Sequence, residues 1–184
     1  MIILDTETTG FTRPEVIQVE HQPEIIEFAA VRVNEDLIIE QEISFLCRPR
    51  NLPLTAEVIR ATGIMTEMLL HAAPFSRHVH ELTQFFLGEE TMVAHNCSFD
   101  RDVLAYELKR VERLTRFPWP WNHIDTVELT MDIPAERKKS PRLKLSELYF
   151  ALTGLTPVVK HRALDDVKTL LECVRALRAR DGRI

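Results

Sequence analysis

The sequence predicts an α/β domain, and three observations predict it. The chain opens on a continuous apolar run, Met1 to Leu4, of the kind found in strands covered on both faces. Two longer runs rich in β-branched residues, 25–33 and 37–46, flank Asn34-Glu35-Asp36 and read as an antiparallel hairpin, which with the first strand makes a three-stranded meander. From residue 55 onward, apolar residues at helical spacing alternate with short strand-like stretches at 91–94 and 123–127.

Asp5 and Glu7 follow the first strand at its end. Side chains alternate along an extended chain, so a spacing of two places both carboxylates on one face, close enough to share a cation or to repel each other. Thr8, Thr9 and Gly10 then supply a tight turn, and Phe11 sets an aromatic ring beside the acids. Paired acids at the end of a buried strand suit hard divalent cations, which take oxygen ligands. A solvated surface turn is the competing reading of the same residues.

Residues 12–24, with Pro14 and Pro23, read as a loop. Thr55 is placed to cap a short helix through Arg60, with Gly63 as its stop. A second helix is expected over 75–87, carrying Val79, Leu82, Phe85 and Phe86 and ending at Gly88. His71, His78 and His80 match no closed metal spacing and are read as surface or packing residues. After the buried strand at 91–94, Ser98 is expected to cap a helix continuing through Arg110. Asp100 then falls in that helix's first turn, where the helix dipole favours a carboxylate, with improved capping as the alternative role.

The run Phe117-Pro-Trp-Pro-Trp121 reads as a rigid aromatic loop, with at least one Trp expected in the core. Residues 134–145, with Arg137, Lys138, Lys139 and Arg142, have the composition of an exposed loop that either contacts phosphates or is simply solvated. A helix over 145–152 and a turn at Gly154 lead to His161-Arg-Ala-Leu-Asp-Asp166 and a last helix bearing Leu170, Leu171, Val174 and Leu177. On one continuous helix His161 and Asp166 would stand about 140° apart, so they converge only if His161 precedes the helix. One domain over 1–180 and a short frayed tail at 181–184 are expected.

Composition sets the class. The 184 residues, 45% hydrophobic and 28% charged, are those of an ordinary globular domain able to bury a sizeable core. No apolar run approaches the roughly 20 residues needed to span a bilayer, and the opening strand leaves no room for a signal peptide, so no membrane association and a cytoplasmic location are expected. Cys47, Cys97 and Cys173 are odd in number and widely spaced, which predicts free, reduced thiols. A net charge of −5 argues against a generic nucleic-acid coat. Residues 101–144 nevertheless hold ten Lys/Arg against seven Asp/Glu, which allows a basic surface beside an acidic site.

Three segments carry a family resemblance over nearly the whole chain. Asp5-Thr-Glu-Thr-Thr-Gly10, His95-Asn-Cys-Ser-Phe-Asp100 and His161-Arg-Ala-Leu-Asp-Asp166 occur in the order and separation of the DEDDh branch of the DnaQ-like 3′–5′ exonucleases, which includes the proofreading epsilon subunit of DNA polymerase III, ribonuclease T and oligoribonuclease. Glu24-Ile-Ile-Glu-Phe-Ala-Ala-Val31 and Ile124-Asp-Thr126 are similar to the family's intervening segments.

The resemblance implies a ribonuclease H-like fold, a five-stranded mixed sheet flanked by helices. It implies that Asp5, Glu7, Asp100 and Asp166 hold two Mg²⁺ or Mn²⁺ ions with His161 as general base; the family's spacing selects Asp166 over Asp165. Thr8, Phe11, Asn96, Arg137, Lys138, Lys139 and Arg142 are candidate substrate contacts, with a core role equally open for Phe11. The implied activity is hydrolysis from the 3′ end of single-stranded or frayed DNA, releasing nucleoside 5′-monophosphates. Trimming of RNA is the alternative, and a noncatalytic nucleic-acid-binding module a third reading. A polymerase or a second copy stays open as partner, although a chain ending soon after its last helix lacks the long segment that tethers a proofreading subunit.

Overall fold

The computed structural model describes residues 1–133, 142–157, 162–182 and 184. Arg137, Lys138, Lys139 and His161 lie outside the described residues. Five strands form one mixed sheet in the order β3-β2-β1-β4-β5. These are β1 (Ile2–Thr8), β2 (Ile25–Val33), β3 (Ile39–Leu46), β4 (Thr91–Ala94) and β5 (Asn122–Asp125). The first three pair antiparallel, and β4 and β5 add parallel strands on the other side of β1. Expected and observed sheets agree.

β1 is the central strand, and Ile2, Ile3 and Leu4 are fully buried, as a continuous apolar run requires. It runs farther than its apolar residues do. β2 stays paired with it as far as Thr8, so Asp5 and Glu7 sit inside the strand rather than after it. β4 pairs with β1 only at Ile2 and Ile3. Beyond that point β1 has a partner on one side alone, and the sheet opens beside the two acids.

Each face of the sheet carries helices. Ile2 and Leu4 pack with α3 (Val79–Phe86) and α4 (Cys97–Arg110) through Leu82, Phe86, Val103 and Leu104. Ile3, Ala29 and Val31 pack with α7 (Ala163–Asp181) through Ala163, Val167, Leu170 and Val174. α5 is a single turn, Thr126–Leu129, after β5, and α6 (Leu145–Thr153) closes against α7 through Leu148 and Cys173.

Local signals held where the chemistry is local. In α1 (Ala56–Thr62) the Thr55 hydroxyl accepts from Val58 N at 3.3 Å, and Gly63, at φ 68°, ends the helix in the left-handed conformation. The helix expected over 75–87 is a 3₁₀ turn, Phe75–Arg77, followed by α3, and a single turn, α2 (Thr66–Leu69), precedes it. One turn is too short to show a period. Ser98 does not cap α4. The helix begins two residues earlier than that cap would give, behind Asn96 at φ 77°, a conformation asparagine tolerates, and the Asn96 N–H is taken by the Asp125 carboxylate at 3.0 Å.

At the C-terminus α7 runs to Asp181. The Ile184 carbonyl accepts from Arg178 Nε at 2.9 Å while its side chain packs partly buried against α7. Trp119 packs on Phe117 in the core, whereas Trp121 is exposed. All three cysteines are free and buried, and His78 stacks on Phe45, as expected of a packing residue.

Candidate active site

Asp5 and Glu7 share the face of β1 that looks toward α7, and both are half-buried. Asp166, in the first turn of α7, meets them there, and the three carboxylates bring oxygens within 4.8 Å of one another. Strand alternation supplies the first two. The third depends on where α7 begins, and an ion pair between a half-exposed arginine and a buried glutamate holds that position.

Glu27 lies across from Glu7 on β2 and is 1% exposed. Its carboxylate accepts from Arg162 Nε at 2.9 Å, from Arg162 Nη2 at 2.6 Å and from the Ala163 N–H at 3.1 Å. The forked pairing suits a guanidinium, and the third bond caps the helix with a negative charge at its positive end. Asp166 N then closes the first turn onto Arg162 O at 3.1 Å.

Asp100 arrives from the opposite face. It is 3% exposed in the first turn of α4 and accepts from Thr6 Oγ1 at 2.7 Å. β1 therefore serves the site with both faces, Asp5 and Glu7 on one and Thr6 on the other. Asp125 extends the polar framework at the end of β5, accepting from Val127 N and Asn96 N. His95 bridges Thr126 Oγ1 at 3.0 Å and Leu143 O at 2.9 Å, and burial lowers its basicity.

Crowding acids out of water raises their affinity for protons. Burial, then the charges of Asp100, Glu7, Asp166 and Glu27, hold Asp5 well above the usual carboxylate range. Burial, followed by the charges of Asp166, Glu27 and Asp100, pushes Glu7 up to about 8, with Arg162 opposing. Burial pushes Asp100 to about 7 against the pull of its Thr6 hydrogen bond. Such a group of oxygens is ready to exchange protons for a divalent cation, and its all-carboxylate chemistry fits a hard ion.

Beside the acids, the turn after β1 opens into a groove of about 450 Å³ whose walls include Gly10, Phe11, Arg13, His21, Asn51 and Val58. Gln22 braces the loop, its amide donating to Arg13 O and Val16 O at 2.7 and 2.6 Å. Phe11 is 87% exposed and meets Phe99 edge-on at 6.5 Å, which rules out the core role. Thr8 is buried, and its hydroxyl donates to Gly10 O at 2.7 Å, so that hydroxyl serves the turn. Asn96 is exposed at the start of α4, and Arg142 is exposed at the edge of the described chain.

The sequence reading named the carboxylates and missed Thr6, Glu27, Arg162, Phe99 and Arg13. A Glu inside the apolar strand 25–33 was the one available signal for Glu27, because a charge there must find a partner.

Comparison with known proteins follows the same lines. The RNase T exonuclease family model matches residues 2–174. The chain is 32% identical over 170 residues to DNA polymerase III PolC-type of Thermotoga petrophila, covering 91% of this chain and 11% of that protein. It is 30% identical over 171 residues to DNA polymerase III subunit epsilon of Treponema pallidum, covering 91% of this chain and 71% of that one. In fold it is similar to E. coli exonuclease I in complex with a dA16 oligonucleotide, with TM-score 0.77, 18% identity, and coverage of 99% of this chain and 41% of that. It is also similar to exonuclease X in complex with 5′ overhanging duplex DNA, with TM-score 0.64, 25% identity, and coverage of 98% and 92%. The chain thus spans about a tenth of the PolC-type relatives and most of the epsilon subunit. With a mixed sheet of the ribonuclease H-like kind and a family match along nearly its full length, the chain belongs to the RNase T exonuclease family of DnaQ-like 3′–5′ exonucleases.

Proposed function

We propose that the chain hydrolyses phosphodiester bonds one nucleotide at a time from the 3′ end of single-stranded or frayed DNA, releasing nucleoside 5′-monophosphates with two Mg²⁺ or Mn²⁺ ions. The observation that carries this reading is the convergence of Asp5, Glu7 and Asp166 within 4.8 Å, with Asp100 reaching the same strand end through Thr6. Acids crowded at one strand end raise one another's affinity for protons, and divalent ions relieve the same repulsion. Divalent ions held there would make a water nucleophilic near neutral pH and stabilise charge on the leaving 3′-oxygen.

The chain's own groups do the remainder. Asp5, Glu7, Asp100 and Asp166 are the residues that would hold the ions. His161, adjacent to the Glu27-bound Arg162, accepts the proton of the attacking water, a task suited to a group that titrates near neutrality. Phe11 and Phe99 offer ring faces and edges to the terminal base, a sequence-tolerant contact. Arg13, which has no side-chain partner among the described residues, lines the adjoining groove and is placed for a phosphate. Removal of nucleotides from RNA by the same site is the second reading, since no described contact discriminates a 2′-hydroxyl.

The test is degradation of matched 5′-labelled DNA and RNA oligomers with Mg²⁺, with Mn²⁺ and with chelator. A ladder shortening from the 3′ end of DNA, mononucleotide products and no reaction with chelator are expected. Metal-independent cleavage, internal cuts or no cleavage of either polymer would overturn the reading.

A further inference from the structure

A second groove, of about 400 Å³, lies behind α4, between the start of α3 and the segment that follows Arg110. Ser76, His80 and Thr83 form one wall and Arg113 and Arg116 the other, with Val79 and Val111 as apolar floor. No carboxylate lines it. Six arginines elsewhere, Arg32, Arg50, Arg101, Arg110, Arg162 and Arg175, each meet a carboxylate. Among the described residues Arg113 and Arg116 have no hydrogen-bond or ion-pair partner for their guanidinium groups. Both belong to 101–144, the stretch where basic residues outnumber acidic ones.

We propose that this groove is a second nucleic-acid contact, holding backbone phosphates of the substrate strand away from its 3′ end; the proposal rests on the nuclease reading above. Guanidinium forks match phosphate oxygens two at a time and keep their charge at any physiological pH. The Ser76 hydroxyl and the His80 ring add hydrogen-bond donors, and the valines face the less polar sugar. The groove's cations also lie apart from the carboxylates. From Asp100 to Val111 the helix advances roughly 16 Å at about 1.5 Å per residue, so a strand end in the site and a phosphate in the groove are several nucleotides apart. Length of substrate, rather than chemistry at its end, is what the groove senses.

The experiment uses the 184-residue chain and three proteins: wild type, Arg113→Ala/Arg116→Ala and Arg113→Lys/Arg116→Lys. Binding of a fluorescent 20-nucleotide single strand is measured in chelator across salt concentrations. Turnover of the p-nitrophenyl ester of thymidine 5′-phosphate is measured with Mn²⁺. Losing two phosphate contacts should weaken binding of the long strand and lower the salt slope by about 1.4, given about 0.7 per phosphate on single strands. Ester turnover should be unchanged, and the lysine pair should retain most of the affinity and the slope. An unchanged slope, or no binding of the strand by wild type, overturns the proposal. Parallel loss of ester turnover and strand binding, or lysine variants as weak as alanine ones, also overturns it by assigning the residues to structure. Wild type whose strand binding shows the slope difference from the alanine pair, yet which turns over neither the ester nor the strand when Mn²⁺ is added, would instead refute the nuclease reading and leave the groove standing.

Discussion

Near one end of α4, Asp100 joins Asp5, Glu7 and Asp166 in a cluster of like charges; beyond the other end, Arg113 and Arg116 face a groove without a single acid. Both places gather charge of one sign, yet the two differ in what holds the charges together. The acids are anchored on a buried strand and on two helix starts, and cannot move apart. Two unit charges 4 Å apart repel by about 1 kcal/mol in water and about 4 kcal/mol in the effective medium near a protein surface. The arginines end long side chains in water and relax away from each other. The first region should therefore answer to protons and divalent ions, and the second to ionic strength.

The largest effect expected is at Asp5, the member of the cluster whose proton affinity is raised by every other acid there. Asp5→Ala should bring hydrolysis to background while leaving the fold intact and raising thermal stability in chelator, because one repelling carboxylate is gone. Turnover with Mg²⁺ and melting in chelator check both halves. Near-normal turnover would sink the comparison, since the acids would then be no more functional than any solvated cluster.

How far these regions were legible from sequence follows from the same difference. Asp5 and Glu7 could be read because strand alternation is local, and Asp100 and Asp166 because each sits in the first turn of a helix whose motif spacing is fixed. The hairpin and its meander with β1 were legible for the same reason, whereas the parallel β4 and β5 were expected only through the family resemblance. Glu27 and Arg162 are separated by 135 residues and meet only through the pairing of Glu27 with Glu7 across β1 and β2, a register no local pattern contains. The Asn96 start of α4 was hidden likewise, because the acceptor for its N–H lies on β5. The basic groove was visible only as a charge imbalance, since its walls come from two segments far apart in the chain.

Next in size is His161, which tests whether base and ligand roles are separate. His161→Ala should keep metal affinity and strand binding yet lose roughly 10²–10⁴-fold in single-turnover rate, the usual contribution of a positioned acid–base group. The low-pH limb of the rate profile should flatten or shift. Loss of the ions in calorimetry would make His161 a ligand and would extend the metal cluster beyond carboxylates.

A smaller effect should appear without any substrate. Glu7, at about 8, and Asp100, at about 7, hold protons in the folded chain more tightly than in the unfolded one, where carboxyls titrate near 4. The folded state then binds more protons between about pH 4 and 8, and stability falls as pH rises through that window. The stability contributed by the retained protons is complete below about pH 4 and lost above about 8. Added Mg²⁺ or Mn²⁺ should restore it, increasingly so toward pH 8 where protons no longer compete. Melting curves at pH 5 and 8, with and without ion, measure this directly. A metal-free protein that gains stability over that range would show that the acids are better solvated than their packing implies.

The smallest expected effect isolates a single hydrogen bond at the junction of the two faces of β1. Thr6 Oγ1 donates to Asp100 at 2.7 Å from a buried position, which favours the charged carboxylate and opposes the burial that protonates it. Thr6→Val keeps the branched shape that a strand accommodates and removes only the donor. A hydrogen bond to a charged group contributes about 1.5–3 kcal/mol, so Asp100 should hold its proton to higher pH and ion affinity should weaken by roughly ten- to a hundredfold. The low-pH limb of metal-dependent turnover should move upward, and saturating Mg²⁺ should recover much of the rate, because the ion competes with the proton for the same carboxylate. Thr6→Ser restores the hydroxyl and should restore the profile, whereas a purely structural role for the Thr6 methyl would leave Ser as impaired as Val. Identical pH profiles for wild type and Thr6→Val would show that Asp100 is held ionised by the ions alone, and that the α4 face of β1 contributes position but no charge control.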